Sequence, residues 1–389
     1  MHSSYTQRLT QHIPPMDATS TFPVNVGLRI KHARESQGLT QEQVSSAMGF
    51  KDRQTLSDLE NGKRALKADE LLRLSDVLDQ DVEFFIDPFS VVAEAQYSWR
   101  ASSTLPEEDL NRFEMTANSW IGLLRWLRAQ EPGANSPLGF ALRLDSSSSY
   151  EAAQYAAEQM VKQFNLGLVP AQRLASCIEQ QLDIPVLFVD TGPSYEKSAI
   201  SGAVCHLPEM GVILVNRQES AARRNYDLAH ELFHVLTWER MKPAHRESNS
   251  MEARERAKRV EQLADNFAAA LLMPRVSLNE LLDPARLKDV GHLMEVAQKL
   301  QVSTTALGWR LLSLGRINEA TRLALLQGQR PDMQDQPPQL FSAGFVKLLH
   351  VALDKGRISA RKAAKGLGLS LNQLSELFPA YGLSKPFTL

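Results

Sequence analysis

The 389-residue sequence predicts a mainly α-helical protein with one small β-sheet, an α+β fold of about two to three domains. Apolar residues recur at spacings of three and four along most of the chain, which is the period of amphipathic helices. The segments 184–189 and 211–215 differ, because they are short runs rich in β-branched residues with turn residues on either side, and such runs form strands. A further segment, 201–204, is a candidate strand that pairs with 211–215 across the turn at 207–210.

The composition is that of a globular protein, with 43% hydrophobic and 23% charged residues. A net charge of −2 argues against a uniformly basic nucleic-acid binder, although it leaves room for a local basic surface. Two cysteines without CxxC spacing, Cys177 and Cys205, favour a reducing compartment. No apolar run approaches the roughly 18 residues that cross a bilayer. The first two dozen residues lack an apolar core, so we expect a cytoplasmic protein with no membrane partner.

Breaks in the apolar pattern divide the chain into segments. The pattern stays helical from 89 to about 130, and clusters of Pro, Gly, Asn and Ser at 132–137 and 145–149 mark a boundary. The predicted segments are a mobile tail (1–24), a domain of four or five short helices (25–88), a helical connector and linker (89–149), a domain that contains the sheet (150–280), a helical extension (281–329), and a linker followed by a C-terminal helical segment (330–389).

The stretch from His230 to His234 reads His-Glu-Leu-Phe-His and lies in an apolar surrounding. On a helix, two residues four positions apart lie on one face about 5–6 Å from each other, so both histidines can bind one metal ion. Glu231 is placed to hydrogen-bond a water at that ion without binding the metal. The alternative interpretation is a pair of buried histidines whose hydrogen bonds are satisfied within the core.

A second amphipathic helix, from Val260 to Leu272, carries Glu261 and Asp265 four residues apart. Glu261 can complete a His₂Glu set that leaves a fourth position for water, which is the arrangement of catalytic zinc. Asp265 can accept the free ring N–H of one histidine. The alternative is that both acids are solvated at the helix edge, and Glu252 and Glu255 are weaker rivals for the third position.

These residues carry a family resemblance. The runs from Ile213 to His234 and from Glu261 to Pro274 resemble the ImmA/IrrE family of zinc metallopeptidases, bacterial enzymes that cleave a partner repressor. The resemblance implies a zincin-like domain in which His230, His234 and Glu261 bind Zn²⁺ and Glu231 is the general base that activates water for peptide hydrolysis. Phe233 departs from the family pattern, where a small residue is usual, and Asp265 stands where Asn is common.

Three further side chains are candidate helpers at this site. Tyr226 is one helical turn before His230 and could reach the site as an oxyanion partner, and a buried structural tyrosine is the alternative. His206 and His245 are the other two candidates.

The segment 25–88 has a second resemblance. Leu39 to Gly49, followed by Gln54 to Arg64, resembles the Xre/Cro-type helix-turn-helix, a five-helix DNA-binding domain. In that fold the second helix of the pair enters the major groove with its N-terminal side chains toward the bases. The resemblance implies contacts to bases or phosphates from six residues, which are Gln41, Lys51, Arg53, Gln54, Thr55 and Ser57.

The local charge agrees with this interpretation. Residues 29–67 contain eight Lys and Arg against five Asp and Glu, a net charge of 8 − 5 = +3. Residues 68–87 contain one Arg against seven Asp and Glu, a net charge of 1 − 7 = −6. A basic face opposite an acidic flank is the polarity that phosphate binding requires. A protein-binding helical module of the same fold is the alternative.

Two functions from different classes follow. The first is a DNA-binding transcriptional regulator that carries an active zinc endopeptidase, with an operator in double-stranded DNA and a repressor-like protein substrate as partners. The second is a non-catalytic regulator, or a toxin–antitoxin or phage-type binding protein, that uses the metallopeptidase fold for sensing or dimerisation. A homodimer is a further candidate assembly. The presence of Glu231 favours the first function, because a site that is kept only for structure has no need of that carboxylate.

Overall fold

A computed structural model describes residues 18–102, 104–131, 139–192, 200–245, 251–328 and 336–388. Within these ranges the fold is mainly α with one small sheet, as the sequence predicts. The helices are α1 (Ala18–Ser36), α2 (Gln41–Met48), α3 (Arg53–Glu60), α4 (Ala68–Val77), α5 (Val82–Ile86), α6 (Glu107–Ala129), α7 (Tyr150–Gln163), α8 (Ala171–Gln181), α9 (Ala221–Thr237), α10 (Met251–Leu272), α11 (Arg275–Leu281), α12 (Val290–Lys299), α13 (Thr304–Ser313), α14 (Glu319–Gln327), α15 (Ala343–Asp354), α16 (Ala360–Leu367) and α17 (Leu371–Ala380). The strands are β1 (Gln96–Ala101), β2 (Val186–Val189), β3 (Ile200–Leu207) and β4 (Met210–Asn216).

The first five helices form a small bundle with its own apolar core. The predicted capping box at the start of α2 is present, because the Thr40 side chain accepts a hydrogen bond from the Gln43 backbone and the Gln43 side chain accepts one from the Thr40 backbone. Gly49 ends α2 in the left-handed conformation, with φ of 70°, which glycine adopts without strain. The helix α1 begins at Ala18, so 18–24 of the predicted tail are helical, and the rest of that tail lies outside the described residues.

The four strands form one mixed sheet in the order β1-β3-β4-β2. The strands β3 and β4 pair antiparallel across the turn between Leu207 and Met210, which confirms the predicted hairpin. The strand β2 runs parallel to β4, and β1 pairs antiparallel with β3 at the edge that faces away from β2.

The strand β1 corrects the prediction that the chain is helical throughout 89–130. Tyr97 and Trp99 are buried and belong to one apolar core, while Ser98 and Arg100 alternate with them and face the other side of the sheet. Two aromatic residues in alternating positions fit a pleated strand better than a helix, and pairing with β3 satisfies the strand's backbone groups. The second part of the range, which includes Trp120 and Trp126, is helical as expected and forms α6.

The sheet separates two apolar cores. On one face pack the helices of the central part of the chain, α7 to α14, in a core that includes Ile213 and Val215. On the other face pack α6 and the C-terminal helices α15 to α17, in a core that includes Leu187, Leu214 and Phe341. The C-terminal segment is therefore part of the body of the protein, although 330–335 of the predicted linker lies outside the described residues, as does the predicted break at 132–137. No helix in the described ranges is long and apolar enough to cross a membrane.

A buried charge network joins the N-terminal bundle to this body. Arg29 of α1 is 3% exposed and donates to the backbone carbonyls of Phe85 (3.0 Å) and Ser90 (2.6 Å) and to the Glu94 carboxylate (3.3 Å). Glu94 also accepts a short hydrogen bond from Arg125 of α6, so one carboxylate pairs with a guanidinium from each unit. Because the side chain of Glu94 is almost fully buried, this pair of ion pairs is shielded from solvent.

We expect the substitution Glu94→Gln to lower the free energy of unfolding by about 3–5 kcal/mol, because it leaves the buried Arg29 guanidinium without its ion pair and Arg125 with only Glu209 at 3.8 Å. Urea titration followed by circular dichroism measures this change. The matched control is Glu108→Gln, which removes an exposed ion pair with Arg112 (3.5 Å) and should change the free energy by less than about 1 kcal/mol. Equal effects of the two substitutions would show that the network does not hold the units together.

Candidate metal centre and DNA-reading surface

The helix α9 carries the histidine pair and lies in the middle of the protein. Ser220 caps its N-terminus, and every residue from Asp227 to Thr237 is buried. The helix packs on β3 and β4 on one side and on α10 on another. At β4 the approach is so close that a Cβ on Gly211 would lie 2.7 Å from Cγ1 of Val235, so this position requires glycine.

Aromatic and polar contacts fix α10 against α9. Phe233 is fully buried, and its ring packs against Phe267 of α10 with a centroid separation of 5.5 Å. This contact explains the large side chain between Glu231 and His234, where the family pattern has a small one. From its other side α10 is held by α7, where Gln154 donates to Asn266 (2.8 Å).

This packing brings the three predicted metal ligands together. The Nε2 atoms of His230 and His234 are 3.1 Å apart, and the Glu261 carboxylate lies 3.1 Å from the first and 3.4 Å from the second. A tetrahedral zinc ion that binds its ligands at about 2.0–2.1 Å places those ligand atoms about 3.3 Å from each other. The three separations therefore fit one zinc ion, and the two nitrogens and one carboxylate are ligands that zinc accepts.

The other two predicted site residues, Asp265 and Tyr226, lie behind His230. Asp265 Oδ1 is 3.0 Å from the Nδ1 atom of His230, so the carboxylate can accept that ring N–H and leave Nε2 free to bind a metal. The Tyr226 hydroxyl is 3.3 Å from both the backbone oxygen and Oδ1 of Asp265. The structure therefore directs the tyrosine proton to Asp265 and not to the space between the ligands.

The protonation of these groups is coupled. Burial and the Arg100 guanidinium lower the pKa of His230, but its hydrogen bonds to Asp265 and Glu261 outweigh both and raise that pKa to about 9. Burial lowers the pKa of His234. Partial burial opposes ionisation of Glu261 and Asp265, whose side chains are 48% and 49% exposed, and hydrogen bonds from the histidines keep the pKa of both carboxyls below their ordinary values.

Glu231 occupies a different environment from the ligand carboxylate. It is 2% exposed and lies beside Gly202 of β3, where an added Cβ would be 3.6 Å from Glu231 Cγ and 3.7 Å from Oε1. Burial raises the pKa of Glu231 to about 8. A carboxyl group whose pKa is near neutrality can both take up and release a proton at physiological pH.

Two charged residues at the site were not predicted from the sequence. Asp227 is fully buried one turn before Glu231, and its carboxylate lies 2.9 Å from Arg223 Nε and 3.1 Å from Arg100 Nε. Arg100 comes from β1, more than a hundred residues earlier in the chain. Asp227 could have been found from its spacing of four residues to Glu231, but Arg100 could not be found while its segment was assigned to a helix.

The remaining candidates lie elsewhere. His206 stacks on Trp238 with a centroid separation of 4.9 Å and is 3.4 Å from Glu239. His245 is 2.9 Å from Glu114 of α6. Glu255 is exposed on α10. The structure brings none of these three described side chains into the group of metal ligands, and the side chain of Glu252 lies outside the described residues.

The N-terminal bundle presents the predicted DNA contacts at the start of α3. Asp52 caps this helix by accepting from the backbone and hydroxyl of Thr55, both at 3.0 Å. Lys51, Arg53 and Gln54 are exposed around that N-terminus, while Ser57 is half-buried one turn later. The amide of Gln54 donates to Asp58 (2.8 Å).

Gln41, the sixth predicted DNA contact, lies at the start of α2 and not near the start of α3. Its amide donates to Glu60 (2.7 Å), which also pairs with Arg34 Nε at 2.6 Å. These contacts tie the start of α2 to the end of α3 and to α1. A phosphate contact from Gln41 therefore has to share its amide with the Glu60 carboxylate or displace it.

Two family models match this chain. The helix-turn-helix model matches residues 30–85, and the IrrE N-terminal-like domain model matches residues 179–312, which extends past 280 into α12 and α13. Both resemblances that the sequence indicated are confirmed. The chain therefore contains a helix-turn-helix domain and, later in the sequence, a metallopeptidase-like domain.

Comparison with solved structures gives distant similarity. A Mycobacterium tuberculosis transcriptional regulator is 19% identical, with 50% of this chain and 51% of that chain covered and a TM-score of 0.31, so the chain spans about half the length of that regulator. ComR from S. thermophilus, in complex with DNA and its signalling peptide ComS, is 12% identical, with 88% and 99% covered and a TM-score of 0.16. ComR from Streptococcus vestibularis, in complex with its signalling peptide XIP, is 12% identical, with 90% and 100% covered and a TM-score of 0.16. No curated protein matches the chain.

The pKa values predict that zinc binding releases protons. In the metal-free protein His230 is protonated below about pH 9 and Glu231 below about pH 8, whereas a zinc ligand must be a neutral imidazole. We therefore expect the release of at least about one proton per zinc at pH 7, and an affinity that rises with pH until about pH 9. Calorimetric titration in buffers of different ionisation enthalpy measures the number of protons, and zinc binding without proton release would contradict the assignment.

Proposed function

We propose that this protein is a DNA-binding transcriptional regulator whose second domain is a zinc-dependent endopeptidase that cleaves a partner protein, such as a repressor. The proposal rests above all on one observation, the separation of 3.1–3.4 Å between the ligand atoms of His230, His234 and Glu261. These three residues would hold the zinc ion. When bound, zinc supplies Lewis-acid polarisation of a carbonyl group and a nucleophilic water at neutral pH.

The protein's own residues account for the movement of protons. Glu231 is buried beside the ligand group and takes the proton of the attacking water, then delivers it to the leaving amine. Its pKa of about 8 is close enough to neutrality for the carboxyl group to take part in both transfers. Asp265 holds the ring of His230 through Nδ1, so that Nε2 keeps its lone pair for the metal.

In this proposal the N-terminal domain binds DNA and the second domain carries the peptidase site. The exposed cations Lys51 and Arg53 at the N-terminus of α3 provide the electrostatic part of DNA binding, and the exposed Gln54 would contact a base edge by giving up its hydrogen bond to Asp58. The ion pairs of Glu94 with Arg29 and Arg125 connect this domain to the body that carries the metal ligands. A regulator built in this way can bring a peptidase to the operator at which its partner acts.

The substitution Glu231→Gln tests the catalytic part of the proposal. We expect zinc content and DNA affinity to stay within about twofold, while the cleavage rate falls by about 10²–10⁴-fold, because the amide cannot accept the proton. The assay incubates the zinc-loaded protein with candidate repressors encoded beside it and follows cleavage by mass spectrometry. Glu255→Gln, an exposed change on α10, is the matched control and should leave the rate unaltered.

Two outcomes would contradict the proposal in different ways. Full cleavage by Glu231→Gln would show that another group is the general base. A wild-type protein that binds zinc but cleaves none of its genomic neighbours, and whose DNA binding changes with zinc, would favour the non-catalytic regulator.

The double substitution Lys51→Gln with Arg53→Gln tests the DNA-reading surface. If each side chain neutralises one phosphate, the slope of log affinity against log salt falls by about one for each charge removed. The probe is a duplex selected from random DNA by the wild-type protein, with binding measured by fluorescence anisotropy between 50 and 200 mM salt, the range for which about 10³-fold changes are typical. Lys288→Gln with Lys299→Gln removes two exposed charges from the other domain and serves as the control, and equal slopes for both variants would refute the assignment.

A further inference from the structure

The strand β1 lies outside the segment 179–312 that matches the metallopeptidase-like family model, yet it contributes a side chain to the site. Arg100 pairs with Gly202 of β3 in the antiparallel register, and the pairing shifts at the next residue, which is a local irregularity of the strand. Such irregularities redirect side chains next to functional sites. The Arg100 backbone carbonyl also accepts a hydrogen bond from Ser201 (3.2 Å), which fixes this end of the strand.

The register determines which face of the sheet Arg100 occupies. Residues directly opposite each other in an antiparallel pair project to the same face. An added Cβ on Gly202 would point at Glu231, at 3.6–3.7 Å from its side-chain atoms. Arg100 therefore projects to the face on which Glu231 lies, and the absence of a side chain at Gly202 leaves room between the two.

The contacts of the guanidinium agree with this geometry. Arg100 Nε lies 3.1 Å from Asp227, and the guanidinium carbon is 5.8 Å from the centre of the Tyr226 ring. Asp227 and Glu231 are four residues apart on α9, so they occupy the same face of the helix on successive turns. The guanidinium is thus placed along the face of α9 that presents the general base.

One nitrogen of this guanidinium donates no hydrogen bond within the described residues. Nη1 of Arg100 is buried and has no hydrogen-bond partner there, although a buried donor without a partner is costly. Nη1 makes no hydrogen bond to Asp227 either, since Arg100 approaches Oδ1 of Asp227 through Nε at 3.1 Å. That oxygen itself has no hydrogen-bond partner among the described residues, and the other carboxylate oxygen pairs with Arg223 at 2.9 Å. A buried donor beside a general base is the arrangement that stabilises developing negative charge on a substrate.

We infer that Nη1 of Arg100 donates a hydrogen bond to the carbonyl oxygen of the peptide bond that is cleaved and stabilises the negative charge that develops on it. The inference rests on the proposed function. The oxygen of water bonds to the carbonyl carbon, one water proton goes to Glu231, and the carbonyl π electrons move to the oxygen that faces Arg100. When the carbon–nitrogen bond breaks, those electrons re-form the carbonyl, and the proton on Glu231 goes to the amine.

The test compares Arg100→Gln with Arg223→Gln. Both substitutions remove a guanidinium partner of Asp227, but Arg223 approaches from solvent with 46% of its side chain exposed. Two probes are titrated calorimetrically into the zinc-loaded proteins: a phosphinic dipeptide of leucine, which carries a tetrahedral anion, and 2-mercaptoethanol, which binds a metal through sulfur and presents no such oxygen.

We expect Arg100→Gln to lower the affinity for the phosphinic dipeptide by about 10-fold or more, since a hydrogen bond to a charged group is lost. Its affinity for the thiol and its zinc content should stay within about twofold, and Arg223→Gln should leave both probes within about twofold. Arg100→Lys should recover part of the dipeptide affinity, because it restores the charge without the planar donor pair.

Three other results would overturn the inference. If Arg100→Gln lowers the affinity for both probes equally, Arg100 acts through Asp227 on the shape of the site. If the substitution lowers the affinity for neither probe, Arg100 does not face the substrate oxygen. Thiol binding by the wild type would still support the zinc site in that case. If the wild type binds neither probe with zinc present, the proposed function falls together with the inference.

Discussion

The packing of α9 between the sheet and α10 is the constraint on which the site depends. Three ligand atoms from two helices have to meet within about 3.3 Å of each other for one zinc ion to bind them all. This requires that α9 approach β4 closely, which Gly211 permits, and that α10 keep a fixed distance, which the Phe233–Phe267 contact sets. A shift of 1 Å in either helix would separate Glu261 from the histidines, and binding sites of this kind tolerate little displacement.

The parts of the chain outside the metallopeptidase-like segment complete its sheet and contribute to the site. The strand β1 extends the sheet and brings Arg100 to Asp227, while α6 and the C-terminal helices bury the opposite face of the sheet. Arg100 is six positions after Glu94, the carboxylate that pairs with Arg29 of the N-terminal bundle. One short stretch therefore contacts both functional units, which gives the metal site and the DNA-binding domain a continuous covalent and hydrogen-bonded connection.

The sequence predicted what depends on local spacing. The histidines four residues apart, the acids four residues apart on the next amphipathic helix, the hairpin across Leu207 and Met210, and the capping box at Thr40 are all properties of short windows. The missed features depend on contacts between distant segments. Arg100 meets Asp227 only because β1 adds to β3, and a run with Trp99 at its centre fits a helical pattern until that partner strand is known. The placement of His206 against Trp238 is likewise a tertiary contact that spacing does not encode.

We propose above all that His230, His234 and Glu261 bind one zinc ion as a set. Metal quantitation by inductively coupled plasma mass spectrometry, on wild type and on Glu261→Ala purified without chelators, tests it most directly, with Glu255→Ala as the control on the same helix. We expect about one zinc per chain for wild type and for the control, and a 10-fold or greater loss for Glu261→Ala. Equal zinc in all three proteins, or none in the wild type after zinc is added, would contradict it.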